Sequence, residues 1–352
     1  MNFSDFTLNN QGVTDLGKVL FTTSFLLNPL FNTCTAKPGI KKGEKLDFVD
    51  NMGDVGNAGR KCDPDYTNVV ITGFEKTWAL GDWSIPKKIC YKELENTIAE
   101  YCLRTGTDRE NLIGTEFWDK ILMPLLNKAL EQMYWRMSWF GDTAAETITD
   151  GGNIKDGTDL SLLTMCDGLW KRIFAVAAAN ASQRTTILAN TENSISAQMQ
   201  NIKGEGVALG IVDDLVSYAD ARIAQADDAT IMLTRSLYQA FRKDYANKYK
   251  ETIPFMEVAN GVKVPTYDGV PILEVNEWDI NIAKFETNGT KYNNPHRGLF
   301  VSPKNLFVGT QASDTLADVT STFDDVTRNN YFYAASDIGT LIGEDALLQV
   351  AY

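Results

Sequence analysis

The sequence predicts an α+β protein in which extended parts surround a compact domain. Three observations lead to this prediction. Residues 115–141 have the pattern of one long amphipathic helix, and residues 40–91 combine a polar, glycine-rich stretch with strand-like segments. From residue 160 onward, short apolar segments alternate between helix and strand periodicity. A helix this long, without a heptad repeat, indicates a strut rather than a coiled-coil segment.

The long helix comes from apolar residues that recur every three or four positions between 115 and 141. At about 1.5 Å per residue it would be roughly 40 Å long, which suits a strut. Pro124 removes one backbone donor, so we expect a bend there, and Lys120, Asn127 and Ser138 are expected to face water. The residues expected to pack on a sheet are Trp118, Leu122, Leu126, Met133 and Met137.

Composition excludes several classes of protein. The chain has 352 residues, 44% of them hydrophobic, and a formal net charge of −13, which disfavours a protein that grips phosphates through its overall field. Five scattered cysteines without a close pair favour reduced thiols over a disulfide or metal framework. Residues 1–28 lack the features of a signal peptide, and no apolar run reaches the length of a membrane span. We therefore expect a soluble protein with no membrane contact.

The sequence of the first 91 residues predicts two extended segments, an N-terminal arm and a long hairpin. Residues 1–39 contain apolar side chains without a helix or strand rhythm, which indicates an arm that buries them against another surface. Residues 40–66 read as an exposed polar loop. The strand-like residues beyond it predict a long β-hairpin over residues 40–91, with a tight turn at Gly81–Asp82 and an edge strand containing Pro86. The apolar residues of this hairpin are Val69, Ile71, Trp78, Trp83 and Ile85.

The remaining chain predicts a compact α/β region. Val262 and Val264 can pair with Val270 and Ile272 across a turn at Thr266-Tyr267-Asp268-Gly269. Helices are predicted at residues 162–178, 211–226 and 236–245, and strands at 230–233, 298–301, 306–308 and within 331–352.

No stretch predicts an active site. Residues 204–210 have glycine spacing that can hold a pyrophosphate at a helix N-terminus, but the required preceding strand is missing, so a simple turn is favoured. His296 is the only histidine and reads as a solvated turn residue. Asp150, Asp156 and Asp159 lack the alternation and the final glutamate of a calcium loop. We expect no catalytic residue, cofactor or metal.

The order of parts resembles that of the major capsid proteins of tailed double-stranded DNA phages, which have the Hong Kong 97-like fold. The helix, strand and helix over 211–237 are similar to part of that family's axial domain. Residues 268–272 are similar to a hairpin of the family in which glycine is followed by any residue, then proline, then an apolar residue. Residues 298–310 and 331–352 resemble its closing strands. The polar insertion 40–66 departs from the family pattern.

The resemblance implies an N-terminal arm at 1–39, an extended loop at 40–91, and a peripheral domain formed by 92–145 and 318–352, with a spine helix at 115–141. It implies an axial domain at 146–317. It further implies hexamers and pentamers of one subunit that close an icosahedral shell around DNA, assembled in the host bacterial cytoplasm and found in the virion. Portal, scaffolding and decoration proteins, and packaged DNA touched non-specifically, are the implied partners.

Three alternatives stay open. An encapsulin-like bacterial compartment would share the fold but enclose an enzyme cargo. A tail or head-completion protein would form rings or tubes. A nucleotide-binding enzyme would use residues 204–210.

Overall fold

The computed structural model describes residues 16–49, 73–90, 118–188, 192–258, 262–316, 318–324, 326–327 and 329–352. Its strands are β1 (Thr35–Pro38), β2 (Lys45–Val49), β3 (Gly73–Thr77), β4 (Gly81–Cys90), β5 (Arg184–Thr185), β6 (Thr230–Leu233), β7 (Phe255–Val258), β8 (Val262–Tyr267), β9 (Val270–Glu274), β10 (Gly298–Val301), β11 (Leu306–Thr310), β12 (Asp318–Asp324), β13 (Asn329–Ile342) and β14 (Leu348–Ala351). Its α-helices are α1 (Met123–Phe140), α2 (Leu169–Ala179), α3 (Ile195–Gln200), α4 (Val207–Ser217), α5 (Ala221–Ala224), α6 (Arg235–Tyr249) and α7 (Asn276–Phe285).

The strands form two large sheets and one separate hairpin. The five-stranded sheet has the order β1-β11-β13-β12, with β4 also paired to β13. The seven-stranded sheet has the order β5-β14-β10-β6-β9-β8-β7, and β2 pairs only with β3. Strands β10 and β14 are buried along their whole length, which explains their nearly unbroken apolar sequences.

The predicted long helix is helical from Trp118 to Phe140, and residues 115–117 lie outside the described part. Its first turns, Trp118–Leu122, are wider π-helical turns, and α1 follows with Pro124 at its start. Proline lacks an amide hydrogen, and here it directly follows the π-helical turns, where the regular α-helical hydrogen-bond pattern is already interrupted. Gly141 ends the helix: its amide donates to the Met137 carbonyl, and a Cβ at this position would come within 2.4 Å of the Cys166 carbonyl oxygen. We call Trp118–Phe140 the spine helix.

The limits predicted for two of the helices were wrong. The helix predicted at 162–178 begins only at Leu169, because the Gly168 amide donates instead to the Gly141 carbonyl at 2.7 Å. The helix predicted at 211–226 begins at Val207 and ends at Ser217. A second short helix, α5, then begins where the Asp220 carboxylate accepts from the Arg222 amide.

The hairpin predicted across residues 266–269 is present, but its turn consists only of Asp268–Gly269, because Thr266 and Tyr267 belong to β8. Tyr267 pairs with Val270, and the two turn residues have φ values of 48° and 80°. Positive φ at both central positions is the geometry that twists with the flanking strands, and aspartate followed by glycine tolerates it well. Strand β7 adds to the other edge of β8 and extends the sheet.

The predicted turn at Gly81–Asp82 was wrong. Both residues lie in β4, which pairs with β13 so that Gly81 faces Ile338 and Pro86 faces Tyr333. A Cβ on Gly81 would lie 1.6 Å from the Met165 carbonyl oxygen, so this glycine permits a close crossing rather than a turn. The hairpin that does form joins β2, in the predicted polar loop, to β3.

The described part of the N-terminal arm is folded onto its own chain, which corrects the expectation that it needs another surface. Residues 16–20 are α-helical and continue into Phe21–Leu26. Phe25 contacts Tyr134 of the spine helix at a ring-centroid distance of 5.1 Å. The buried residues do have helical spacing, which was missed because polar residues separate them: Leu16, Leu20, Phe21, Ser24, Phe25 and Asn28. We call residues 16–26 the N-terminal helix.

The sheets differ from the predicted domain limits at two strands. Strand β14, within the predicted peripheral segment 318–352, pairs with β10 in the seven-stranded sheet. Strand β11, within the predicted axial segment 146–317, pairs with β13 in the five-stranded sheet. The chain therefore crosses between the sheets once more than the prediction allowed.

Candidate assembly surface

The spine helix has two halves with different surroundings. From Met133 to Phe140 every side chain except Arg136 is buried, whereas Leu125 is 61% exposed. The buried half ends in a cluster of tryptophans, in which Trp278 of α7 lies 4.7 Å from both Trp139 and Trp170. Such edge-to-face contacts fix the helix relative to α2 and α7.

The predicted spine residues lie on the side of the helix that faces the sheets. Trp118, Met133 and Met137 are buried, and Leu122 and Leu126 are partly buried against the same core. Trp118 lies 6.0 Å from Phe332 of β13, which links the start of the helix to the five-stranded sheet. Ser138, expected to face water, is fully buried.

The apolar residues predicted for the extended loop do not lie together in one hairpin. Val69 and Ile71 lie outside the described residues. Trp78 is buried in a small cluster with Ile40, Leu80 and Leu341, so it anchors the base of the β2–β3 hairpin. The other two belong to β4: Trp83 is buried with its ring 5.9 Å from Tyr134, and Ile85 is partly buried.

The β2–β3 hairpin itself is stabilised mainly by side chains across its two strands. Phe48 and Phe74 stack at 5.0 Å, and Lys45 pairs with Glu75. At its base Lys76 forms an ion pair with Asp345, which follows β13. An isolated two-stranded hairpin is only marginally stable in water. The β2–β3 hairpin would therefore gain stability from packing against another surface.

A buried ion pair was missed by the sequence analysis. Arg297 is fully buried and pairs with Glu286, and its guanidinium lies 5.1 Å from the Trp170 ring and 5.5 Å from the Phe140 ring. Burial raises the pKa of Glu286, and the Arg297 charge acts against that rise. The pair ties the end of α7 to the end of the spine helix, which is a structural role.

His296 is buried rather than solvated, which corrects the prediction. Its Nδ1 lies 2.8 Å from Ser236 Oγ, and its Nε2 lies 2.9 Å from the Gln198 carbonyl oxygen. Burial lowers its pKa, so the neutral ring is favoured. A Ser–His pair is present, but a carbonyl and not a carboxylate holds the second ring nitrogen, and the ring is only 3% exposed.

The glycine-rich stretch 204–210 does not form a phosphate-binding loop. Gly206 precedes the first residue of α4, and Gly210 lies inside that helix. The buried carboxylate of Asp244 accepts from the amides of Ala208 and Leu209 at 3.0 and 3.4 Å. An internal anion therefore occupies the position that a bound phosphate would need.

The described residues were also compared with the requirements of a metal site and of a membrane span. Among them, no group of three or more His, Cys, Asp or Glu side chains is placed to hold a metal ion. Asp150 and Asp159 accept hydrogen bonds from Thr147 and Ser161 within their own turns. No helix in the described part of the chain is long and apolar enough to cross a membrane.

Comparison with known proteins identifies the fold. No protein-family model and no curated protein matches the sequence. A chain of the satellite phage P4 procapsid, a structure that includes the size determination (Sid) protein, matches with a TM-score of 0.52. That match has 13% identity and covers 96% of this chain and 97% of that chain. The chain shares the fold of a phage procapsid chain.

Two further solved structures resemble the chain with TM-scores below 0.5. A chain of Gordonia phage Cozz has a TM-score of 0.49 and 8% identity, and covers 92% of this chain and 85% of that chain. A capsid chain of a native GTA particle has a TM-score of 0.44 and 12% identity, with coverage of 94% and 89%. The P4 procapsid match, with its TM-score above 0.5, confirms the predicted α+β fold and the resemblance to phage capsid proteins at the level of the fold.

Proposed function

We propose that this chain is a major capsid protein that assembles into hexamers and pentamers of an icosahedral shell around double-stranded DNA. The observation that carries the proposal is the fold match to the P4 procapsid chain over nearly the full length of both chains. The β2–β3 hairpin supports it, because a two-stranded projection of this kind gains stability by lying on a neighbouring subunit.

The spine helix and the extended hairpin are assigned separate roles in this proposal. The buried half of the helix fixes the subunit as a rigid tile through Met133 and Met137, and Leu122 and Leu126 pack the helix on the peripheral sheet. The β2–β3 hairpin covers the next subunit. Portal, scaffolding and decoration proteins are further proposed partners, with assembly in the host cytoplasm and the virion as the final location.

The alternatives have less support. A nucleotide-binding enzyme would need the helix N-terminus that Asp244 occupies. A bacterial compartment would share the fold, but the P4 procapsid match, with a TM-score of 0.52, is to a phage chain. The acidic net charge of −13 suits an inner wall that does not retain DNA.

Sedimentation and electron microscopy of the purified chain test the proposal. We expect capsomers or closed shells that depend on salt and protein concentration. Shells that contain nucleic acid would favour a virion, and shells that contain a co-purifying enzyme would favour a compartment. A species that stays monomeric over the whole range of salt and concentration would contradict both.

A further inference from the structure

Helix α3 (Ile195–Gln200) is attached to the domain mainly through one polar residue. Gln198 is the only buried residue of this six-residue helix, and the next buried side chain, Ile202, lies beyond its end. The Gln198 side chain donates to the Tyr292 carbonyl at 2.8 Å and accepts from the Tyr292 amide at 2.7 Å. The Gln198 carbonyl oxygen lies 2.9 Å from His296 Nε2. A helix this short has little stability of its own, so these three contacts hold it in place.

The His296 ring takes part in this attachment in its neutral form. The Gln198 carbonyl can only accept, so Nε2 carries the ring hydrogen, and Nδ1 accepts from the Ser236 hydroxyl at 2.8 Å. Protonation would place a second hydrogen on Nδ1. The Ser236 hydroxyl would then have to turn toward the Pro295 carbonyl, which is 3.4 Å away. A buried cation would also replace a neutral ring, which is costly without a partner charge.

The charged groups around the ring do not supply that partner. Among the described residues, no carboxylate is bonded to His296. Asp279 accepts from the Ser236 amide instead, and Glu286 is already paired with Arg297. The other charged groups on the surrounding elements and along the cleft beside the ring are Arg184, Arg235, Glu274 and Lys291. Burial accordingly lowers the pKa of His296, and the bond to the Gln198 carbonyl acts against that fall.

We propose that His296 makes the attachment of α3 sensitive to acid, so that protonation of the ring releases α3 from the domain. In the closed form α3 is attached through Gln198, and in the open form it has lifted and water reaches the ring. The open form therefore binds a proton more tightly than the closed form, and acid shifts the equilibrium toward it. The inference concerns a single subunit, so it does not depend on the proposed function.

The direction of the pH dependence follows from the direction of the pKa shift. The pKa of His296 lies below 6.5 in the closed form, and it returns toward 6.5 when the ring is solvated. The closed form is therefore fully favoured above pH 6.5 and loses stability as the pH falls below that value. The open population should rise up to about tenfold for each pH unit below 6.5, until the pH reaches the pKa of the closed form.

Hydrogen exchange of the full chain, followed by mass spectrometry between about pH 7.5 and 5, tests the release. After correction for the pH dependence of intrinsic exchange, the amides of residues 197–201 and of Tyr292 should lose protection by about tenfold as the pH falls through this range. Helix α2 (Leu169–Ala179) should keep its protection and serves as the internal control. Constant protection of α3 over the whole range would overturn the inference.

The titration of the ring can be followed without a variant, because His296 is the only histidine of the chain. Deuterium exchange at the C2 position of the imidazole, measured over the same range, gives the pKa of His296 in the whole chain. We expect a midpoint below 6.5, with exchange in α3 rising between pH 6.5 and that midpoint. A ring that titrates at 6.5 or above, or one that titrates while α3 stays protected, would refute the release.

Two variants separate His296 from the other titrating group beside Ser236. His296→Gln removes the titration, so the protection of α3 should no longer depend on pH, whatever its level. Asp279→Asn is the matched control, because Asp279 bonds the Ser236 amide and not the ring, and the acid response of α3 should persist in it. A response that remains in His296→Gln, or one that disappears in Asp279→Asn, would show that another group controls α3.

Discussion

The two halves of the spine helix have opposite relations to solvent, although their sequences have similar apolar content. Between Met133 and Phe140 the helix lies between α2, α7 and β13, so even Ser138 is buried. Between Lys120 and Gln132 it has an exposed stripe that includes Leu125 and Lys128. The buried half determines the stability of the subunit, and the exposed half is available for contact with other chains.

The largest expected difference between the halves comes from removing large side chains. Trp139→Ala should reduce the free energy of unfolding by about 3–5 kcal/mol, because the residue is fully buried among Trp170 and Trp278. Leu125→Ala should change it by less than about 0.5 kcal/mol. Urea unfolding followed by tryptophan fluorescence and circular dichroism measures both. Equal losses would contradict the division of the helix.

The packing of the buried half should also respond to pH through Asp279 on α7. Its carboxylate accepts from the Arg235 amide at 2.8 Å, yet burial raises its pKa from 3.8 to about 6. The folded state therefore binds a proton more tightly than the unfolded state, so this group favours folding at low pH. That contribution is lost as the pH rises through the window from about 4 to 6.

Asp279→Asn should flatten the change in unfolding free energy across that window by up to about 3 kcal/mol. Asp167 offers a matched control, because hydrogen bonds from Lys171 and Thr143 outweigh burial and lower its pKa to about 2. Asp167→Asn should act below pH 4, with the opposite sign. Urea titrations at closely spaced pH values check both. If the unfolding free energy of Asp279→Asn changed with pH between 4 and 6 as steeply as that of the unmodified chain, Asp279 would not be the group responsible.

The boundary between the halves can be tested at Leu126, which is partly buried. Leu126→Asp places a charge at the edge of the core and should cost about 1–3 kcal/mol of unfolding free energy. Because the side chain packs on the sheet side, we expect the variant to fail in assembly. Leu125→Asp on the exposed stripe makes the same substitution at an exposed site, so it controls for the added negative charge in the unfolding measurement. Normal assembly of Leu126→Asp would show that the spine assignment is wrong.

The sequence predicted the order of elements better than their partners. The pattern of the spine helix, the strand at 230–233 and the Asp268–Gly269 turn depend on neighbours along the chain, and all three are present. The partner of β4 could not be predicted, because it lies about 250 residues away in β13. Gly81 was mistaken for a turn residue because close backbone crossing and turning both favour glycine.

Burial of polar residues was the other limit of prediction. Arg297 and His296 follow a turn and look solvated in sequence, but they are buried because Glu286, Ser236 and aromatic rings from distant elements surround them. Helical spacing did contain one usable signal, since Leu16, Leu20 and Ser24 share the buried face of the N-terminal helix. The burial of the other polar residues depends on contacts between elements that are distant in the sequence, which local sequence patterns do not show.

The smallest expected effect concerns Ser138, which was predicted to face water. Its hydroxyl is buried, and it has no hydrogen-bond partner among the described residues. Ser138→Ala removes a hydroxyl that gains nothing from burial, so the unfolding free energy should stay the same or rise by up to about 1 kcal/mol. Ser24→Ala is the matched control: that hydroxyl is equally buried but donates to the Leu20 carbonyl at 2.6 Å.

Loss of the bond made by Ser24 should cost about 0.5–1.5 kcal/mol, so the two serines should change stability in opposite directions. Urea unfolding of both variants under one condition resolves the difference. A loss for Ser138→Ala as large as that for Ser24→Ala would show that the hydroxyl of Ser138 has a partner. The buried half of the spine helix would then contain a polar contact as well as apolar packing.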